Sequence, residues 1–137
     1  MKKNITLIGC GRWGLNILRD LLQLDCNVIV IDPKRKAQEN AQHQGAFQVH
    51  SSLEEFFKKK TYTDGFIIAA STLQHYSLLI LLKAANQPIF VEKPMVLNTS
   101  ETKHVMSLMS DRVFVMHKWR YHPAVLELKK LINHSKL

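Results

Sequence analysis

Two cysteines in 137 residues are too few for a disulfide framework, and one of them, Cys10, sits inside a glycine-rich turn; reduced thiols in a cytoplasmic protein are the expectation. No apolar run approaches the roughly 20 residues that a membrane-spanning helix needs. Met1-Lys2-Lys3-Asn4-Ile5-Thr6 leads straight into an apolar strand without a secretory core, so neither a membrane nor a signal peptide is read here. Five glycines and four prolines are spread thinly, with no linker, repeat or low-complexity tract. Acidic residues are scarce, 11 against 19 lysines and arginines, which leaves a formal net charge of +8. That excess suits an anionic partner. The cations are scattered, however, apart from Lys58-Lys59-Lys60 at a helix end, and no base-reading motif accompanies them, so nucleic acid is not an expected partner. Histidines and acids at metal-ligand spacing are also missing, and no metal is expected.

What remains is an ordinary globular composition, 46% hydrophobic and 22% charged, long enough for one domain with its own core. Strand and helix signals alternate throughout. Strands are read at about 4–9, 27–32, 46–49, 65–70, 88–91 and 112–116. Helices are read at about 12–24, from Pro33 to about 44, from the cap Ser51-Ser52, at 72–86, from Asn98-Thr99-Ser100-Glu101, and at 122–134. Such alternation predicts the α/β class, a doubly wound parallel sheet with right-handed crossovers.

The most informative stretch is Gly9-Cys10-Gly11-Arg12-Trp13-Gly14, a G-x-G-x-x-G placed where the first strand ends and the first helix begins. In that context the first glycine permits the tight turn. The second removes a side chain where backbone approaches a pyrophosphate, and the third lets helix and strand pack closely. The helix start then offers unpaired N–H groups to the phosphates. A glycine-rich turn without a ligand would show the same pattern. Asp32, ending the second strand about 20 residues on, is the acid expected to hold a ribose and selects the dinucleotide reading. A second marker is His75, followed 17 residues later by Glu92-Lys93-Pro94 at the end of the fifth strand. Ligands of open parallel sheets lie beyond these strand ends, so Lys93 should project toward a cofactor and handle a substrate hydroxyl.

These residues, together with Arg120-Tyr121-His122-Pro123-Ala124, resemble the Gfo/Idh/MocA family of NAD(P)-dependent oxidoreductases along the whole chain. The resemblance implies a Rossmann NAD(P)-binding domain over residues 1–118, with 119–137 beginning a link to a second, mostly antiparallel-sheet domain absent here. It implies a pyrophosphate at Gly9, Cys10, Gly11, Arg12, Trp13 and Gly14, a ribose at Asp32, and Lys93 as the catalytic lysine with Glu92 beside it near the nicotinamide ribose. A cis Lys93–Pro94 bond is implied too. His75 belongs to the same cofactor-binding set. Ala70 and Ser71 stand where the family carries Thr-Pro, and Ser71 supplies the lost hydroxyl one position along. The implied reaction moves hydride between a sugar, polyol or sugar-nucleotide hydroxyl and the nicotinamide. Trp13-Gly14-Leu15-Asn16 and residues 117–123 are most similar to sugar-nucleotide 3-dehydrogenases.

NAD is the expected cofactor, with NADP left open by Lys34 and Arg35 directly after Asp32. A catalytically silent nucleotide-binding module is the alternative function. His43, His50, His104 and His134 are read as surface residues, and His117 and His122 as flanking the last strand. Val125, Leu128, Leu131 and Ile132 form one stripe of the last helix that needs cover, which makes self-association an expectation.

Overall fold

A computed structural model describes residues 1–134. Six strands, β1 (Asn4–Ile8), β2 (Asn27–Ile31), β3 (Gln48–His50), β4 (Gly65–Ile68), β5 (Ile89–Glu92) and β6 (Val113–Met116), form one parallel sheet in the order β3-β2-β1-β4-β5-β6. Helices α1 (Arg12–Gln23), α2 (Arg35–Gln44), α3 (Leu53–Lys58), α4 (Thr72–Leu81) and α5 (Thr99–Met109) connect them. A 3-10 turn (Lys118–Tyr121) leads from β6 into α6 (Pro123–His134). The strand order reverses between β1 and β4, which opens a crevice at their carboxyl ends.

Each face of the sheet has its own core. Ile17 and Leu18 of α1 and Ala41 of α2 pack on Leu7, Val28 and Val30. On the other face Leu53, Phe56, Leu79, Leu82, Val105 and Met109 pack on Ile8, Ile29, Ile31, Phe66, Ile68 and Val91. The strands read as continuous apolar runs because both faces are covered over most of the sheet.

Capping fixes where several helices begin. Ser52 Oγ accepts the Glu55 N–H at 3.1 Å, and the Glu55 carboxylate reaches back to the Ser51 N–H at 2.7 Å. Hydrogen bonds from Lys59 and then Ser51 hold Glu55 down to about 2. Asn98 and Glu101 repeat the arrangement at α5, with Asn98 Oδ1 accepting the Glu101 N–H at 2.9 Å. These are the reciprocal caps that the sequence advertises.

Several boundaries differ from the sequence reading. Helix α2 begins at Arg35, leaving Pro33 outside it, because the Asp32 carboxylate takes the Lys34 N–H at 2.9 Å and forms its own turn first. Helix α4 ends at Leu81 rather than near 86, and β3 runs Gln48–His50 rather than 46–49.

Candidate functional site

Helices α3 and α5 satisfy their first N–H groups with their own side chains, but α1 does not. Its N-cap is Gly11, without a side-chain cap bond. Helix α4 starts at Ser71, also without one, since the Ser71 hydroxyl donates to Gln74 Oε1 at 3.3 Å instead. Two helix starts with open N–H groups therefore flank the crevice where the strand order reverses, an arrangement suited to an anion.

The three glycines of the loop have separate tasks. Gly9 is at φ +90°, and a Cβ there would lie 2.6 Å from the Ala70 nitrogen, so it both makes the turn and lets the β4 end approach. A Cβ on Gly14 would lie 2.3 Å from the Gly9 oxygen, which is what close packing of helix on loop requires. A Cβ on Gly11 would meet nothing within 4 Å. The space beside Gly11 is open, and a side chain there would project into it.

Asp32 lies buried at the end of β2. One carboxylate oxygen accepts the Cys10 N–H at 2.8 Å and the other accepts the Lys34 N–H at 2.9 Å. Gln38 Nε2 donates to the Asp32 carbonyl at 2.7 Å. The carboxylate is thus locked to the glycine loop, and each oxygen keeps a second lone pair able to accept a further hydrogen bond. Cys10 enters the site only through its backbone. Its side chain is buried in the core, and burial, then the nearby Asp32 charge, pushes the thiol up to about 11, which leaves it protonated and inert.

At the far side of the crevice Glu92 ends β5. Its carboxylate accepts the Trp13 indole N–H at 2.8 Å and the Lys93 backbone N–H at 3.0 Å, so the first turn of α1 is tied to the Glu92-Lys93 corner. The Lys93–Pro94 peptide is cis. His75 is buried, with Nδ1 3.0 Å from the Pro94 carbonyl and Nε2 3.1 Å from the Ala70 carbonyl. A neutral imidazole donates to one of these at a time. Its place in the site is inside the wall, joining the ends of β4 and β5 behind the crevice. Lys93, Glu92 and Trp13 then open into a cleft of about 750 Å³ that is also lined by Phe90, Met116, His117, Lys118, Trp119 and Tyr121.

Of these, Phe90, Met116, Lys118 and Trp119 were not singled out by sequence reasoning. The signal for Lys118 and Trp119 was the dense run of rings and cations at 117–122, which the 3-10 turn folds against the site. Of the two histidines flagged there, His117 lines the cleft. His122 instead accepts the Ala124 N–H at 3.2 Å, at the start of α6. His50 is not a surface residue. It is 3% exposed, packed edge-on against Phe56 at 5.8 Å, because β3 presents it inward. His43 and His104 are exposed as expected, and the side chain of His134 lies outside the described residues. Among the described residues no metal-ligand cluster occurs, and no helix is long and apolar enough to cross a membrane.

Fold and crevice together define a dinucleotide-binding α/β domain. Residues 3–117 match the model of the Gfo/Idh/MocA oxidoreductase family with its NAD-binding Rossmann fold, and the chain belongs to that family. Among solved structures it is similar to a myo-inositol dehydrogenase from Lactobacillus casei, in complex with NAD(H) and myo-inositol, at 18% identity and a TM-score of 0.88. It is also similar to the WlbA dehydrogenase from Bordetella pertussis, in complex with NADH and UDP-GlcNAcA, at 23% identity and a TM-score of 0.84. In both cases 97% of this chain is covered, and 42% of the other. This chain therefore spans about two fifths of the length of those proteins. No curated protein matches it by sequence.

Proposed function

We propose that this chain is the cofactor-binding part of a cytoplasmic dehydrogenase that oxidises a hydroxyl of a sugar, polyol or sugar nucleotide. Residues 1–118 form the NAD(P)-binding unit and 119–137 lead toward a second domain. The observation that carries the reading is the meeting, at one sheet edge, of the open α1 start, the locked Asp32 carboxylate and the Glu92-Lys93 corner. The N–H groups around Gly9–Trp13 bind the pyrophosphate and Asp32 the adenosine ribose. Glu92, released from Trp13, takes the nicotinamide ribose. Lys93 Nζ holds the substrate hydroxyl and relays its proton. The bound nicotinamide supplies the hydride acceptor, and the protein supplies orientation and charge. His75 positions Ala70 and Lys93-Pro94 from behind.

Two outcomes test this. The purified chain is expected to bind NADH, followed by fluorescence titration, yet to show little turnover with a panel of sugars, polyols and sugar nucleotides. Trp119 and Tyr121 leave the cleft open to water, and hydride transfer depends on an oriented, dry site. Failure to bind the dinucleotide would remove the proposal. Robust turnover would show that one domain holds a complete site.

NAD should bind more tightly than NADP by about tenfold or more, an effect of roughly 1.4 kcal/mol. Asp32 repels a 2′-phosphate, and Arg35, one of the two cations that follow Asp32 closely, is paired with Glu39 at 2.9 Å. Dissociation constants measured at one ionic strength decide the point, and tighter NADP binding contradicts it.

A further inference from the structure

Trp13, the second residue of α1, carries two donors beside the crevice. Its backbone N–H is one of the open groups at the start of that helix. Its indole N–H donates to Glu92 Oε1 at 2.8 Å, joining residues 79 positions apart. Strand β4 lies between β1, which feeds α1, and β5, which ends at Glu92. The tie therefore bridges elements whose strands are two spacings, about 10 Å, apart. Trp13, Glu92 and Lys93 line the same cleft. The other Glu92 oxygen accepts the Lys93 backbone N–H at 3.0 Å. The backbone at both ends of the tie is fixed. Gly14 is pressed on the Gly9 carbonyl, where an added Cβ would lie 2.3 Å from the oxygen. Glu92 is paired with Met116 in the sheet, and the buried His75 ring lies 3.0 Å from the Pro94 carbonyl. What is left to move is the indole, by rotation about its side-chain bonds.

We propose that the Trp13 indole is a stand-in for the nicotinamide ribose: it holds Glu92 in the ribose's place, and the dinucleotide must turn it aside to bind. The inference rests on the cofactor reading above. In that reading the pyrophosphate lies at the start of α1 and the nicotinamide beside Lys93, so the ribose between them crosses from α1 to the end of β5. The indole makes the same crossing and ends on the same carboxylate. It keeps that carboxylate partnered, and it makes the nicotinamide half of the cofactor compete for its seat. A bond from an N–H to a carboxylate is charge-assisted and among the stronger kinds, so the competition is felt in the affinity. The adenosine half meets no such rival, since Asp32 is held by the Cys10 and Lys34 N–H groups and not by a side chain. Trp13 thereby weighs the second ribose against the rest of the ligand.

Titration calorimetry of the unmodified chain and Trp13→Phe, each with NADH and with adenosine diphosphate, tests the proposal. Phenylalanine keeps a ring and removes the N–H. The variant is expected to bind NADH about tenfold more tightly, the effect of removing one charge-assisted hydrogen bond that opposes binding. Its affinity for adenosine diphosphate, which has no second ribose, should be unchanged. A second measurement needs no substitution at Trp13. The chain has two tryptophans, and the Trp13 indole N–H signal in a nitrogen-15 spectrum is the one that survives in Trp119→Phe. Saturating NADH should move it from the position of a carboxylate-bonded indole toward that of a water-exposed one, and adenosine diphosphate should leave it bonded. Equal or weaker NADH binding by Trp13→Phe overturns the proposal. So does an equal change for both ligands, or an indole signal that stays bonded under NADH. These outcomes leave the cofactor reading standing, whereas an unmodified chain that binds neither ligand removes that reading and this inference with it.

Discussion

Gly11→Val is expected to abolish dinucleotide binding, raising the dissociation constant at least about 100-fold, while the domain stays folded. The two halves of that expectation come from different observations. Gly11 has φ −70° and ψ −165°, an extended conformation open to any residue, and a Cβ there meets no atom within 4 Å. Valine is a poorer helix cap than glycine, which sets the stability loss at about 1 kcal/mol. In the proposed function, that open space is where backbone N–H groups would reach the pyrophosphate. Two methyl groups there hold the phosphates away from donors whose charge-assisted hydrogen bonds contribute about 1.5–3 kcal/mol each. Losing two of them exceeds the roughly 2.7 kcal/mol that a 100-fold change represents. Titration calorimetry with NADH, beside a thermal melt, checks both halves. Unchanged affinity would mean that the loop holds no pyrophosphate.

The turn at Gly9 and the close packing at Gly14 were read from the sequence, and the fold adds the distances that make them strict. The architecture was legible too. Alternating apolar strands and amphipathic helices gave the parallel sheet, because buried parallel strands are continuous apolar runs and their crossovers must be helices. Ser51-Ser52 and Asn98 with Glu101 marked helix starts because capping is local chemistry. Asp32 and the Glu92-Lys93 corner were singled out by position along the chain, and the fold brings each to the carboxyl edge of the same sheet. What stayed hidden depends on distant partners. Pro33 looked like a first-turn proline until the Asp32 carboxylate claimed the next N–H. His50 looked like a surface residue because a three-residue strand is too short to display alternation. His75 was read with the cofactor-binding set, and spacing alone did not reveal that its ring is buried between the Ala70 and Pro94 carbonyls. The cleft wall at Trp119 and Tyr121 depends on a 3-10 turn for which no periodic signal exists.

Gly14→Ala should destabilise the fold by about 3 kcal/mol, lowering the melting temperature by roughly 10 °C for a domain of this size. Local propensity argues the other way. Gly14 lies in the first turn of α1, and replacing a helical glycine with alanine is favourable by up to about 1 kcal/mol. The contact geometry outweighs it. An added Cβ would stand 2.3 Å from the Gly9 carbonyl oxygen and 3.1 Å from the Gly9 carbonyl carbon, and both are backbone atoms. No flexible side chain can give way, so either α1 lifts from the loop or the loop moves. Gly9 cannot retreat easily. Its N–H is bonded to the Ile31 carbonyl at 2.8 Å, and the Ala70 backbone crowds its other side. Helix α1 cannot lift without exposing Ile17 and Leu18, which seal the Leu7–Val30 core. Chemical denaturation of the variant beside the unmodified chain measures the difference. A variant as stable as its parent, or more stable by the propensity gain, would show that α1 does not rest on the Gly9 carbonyl.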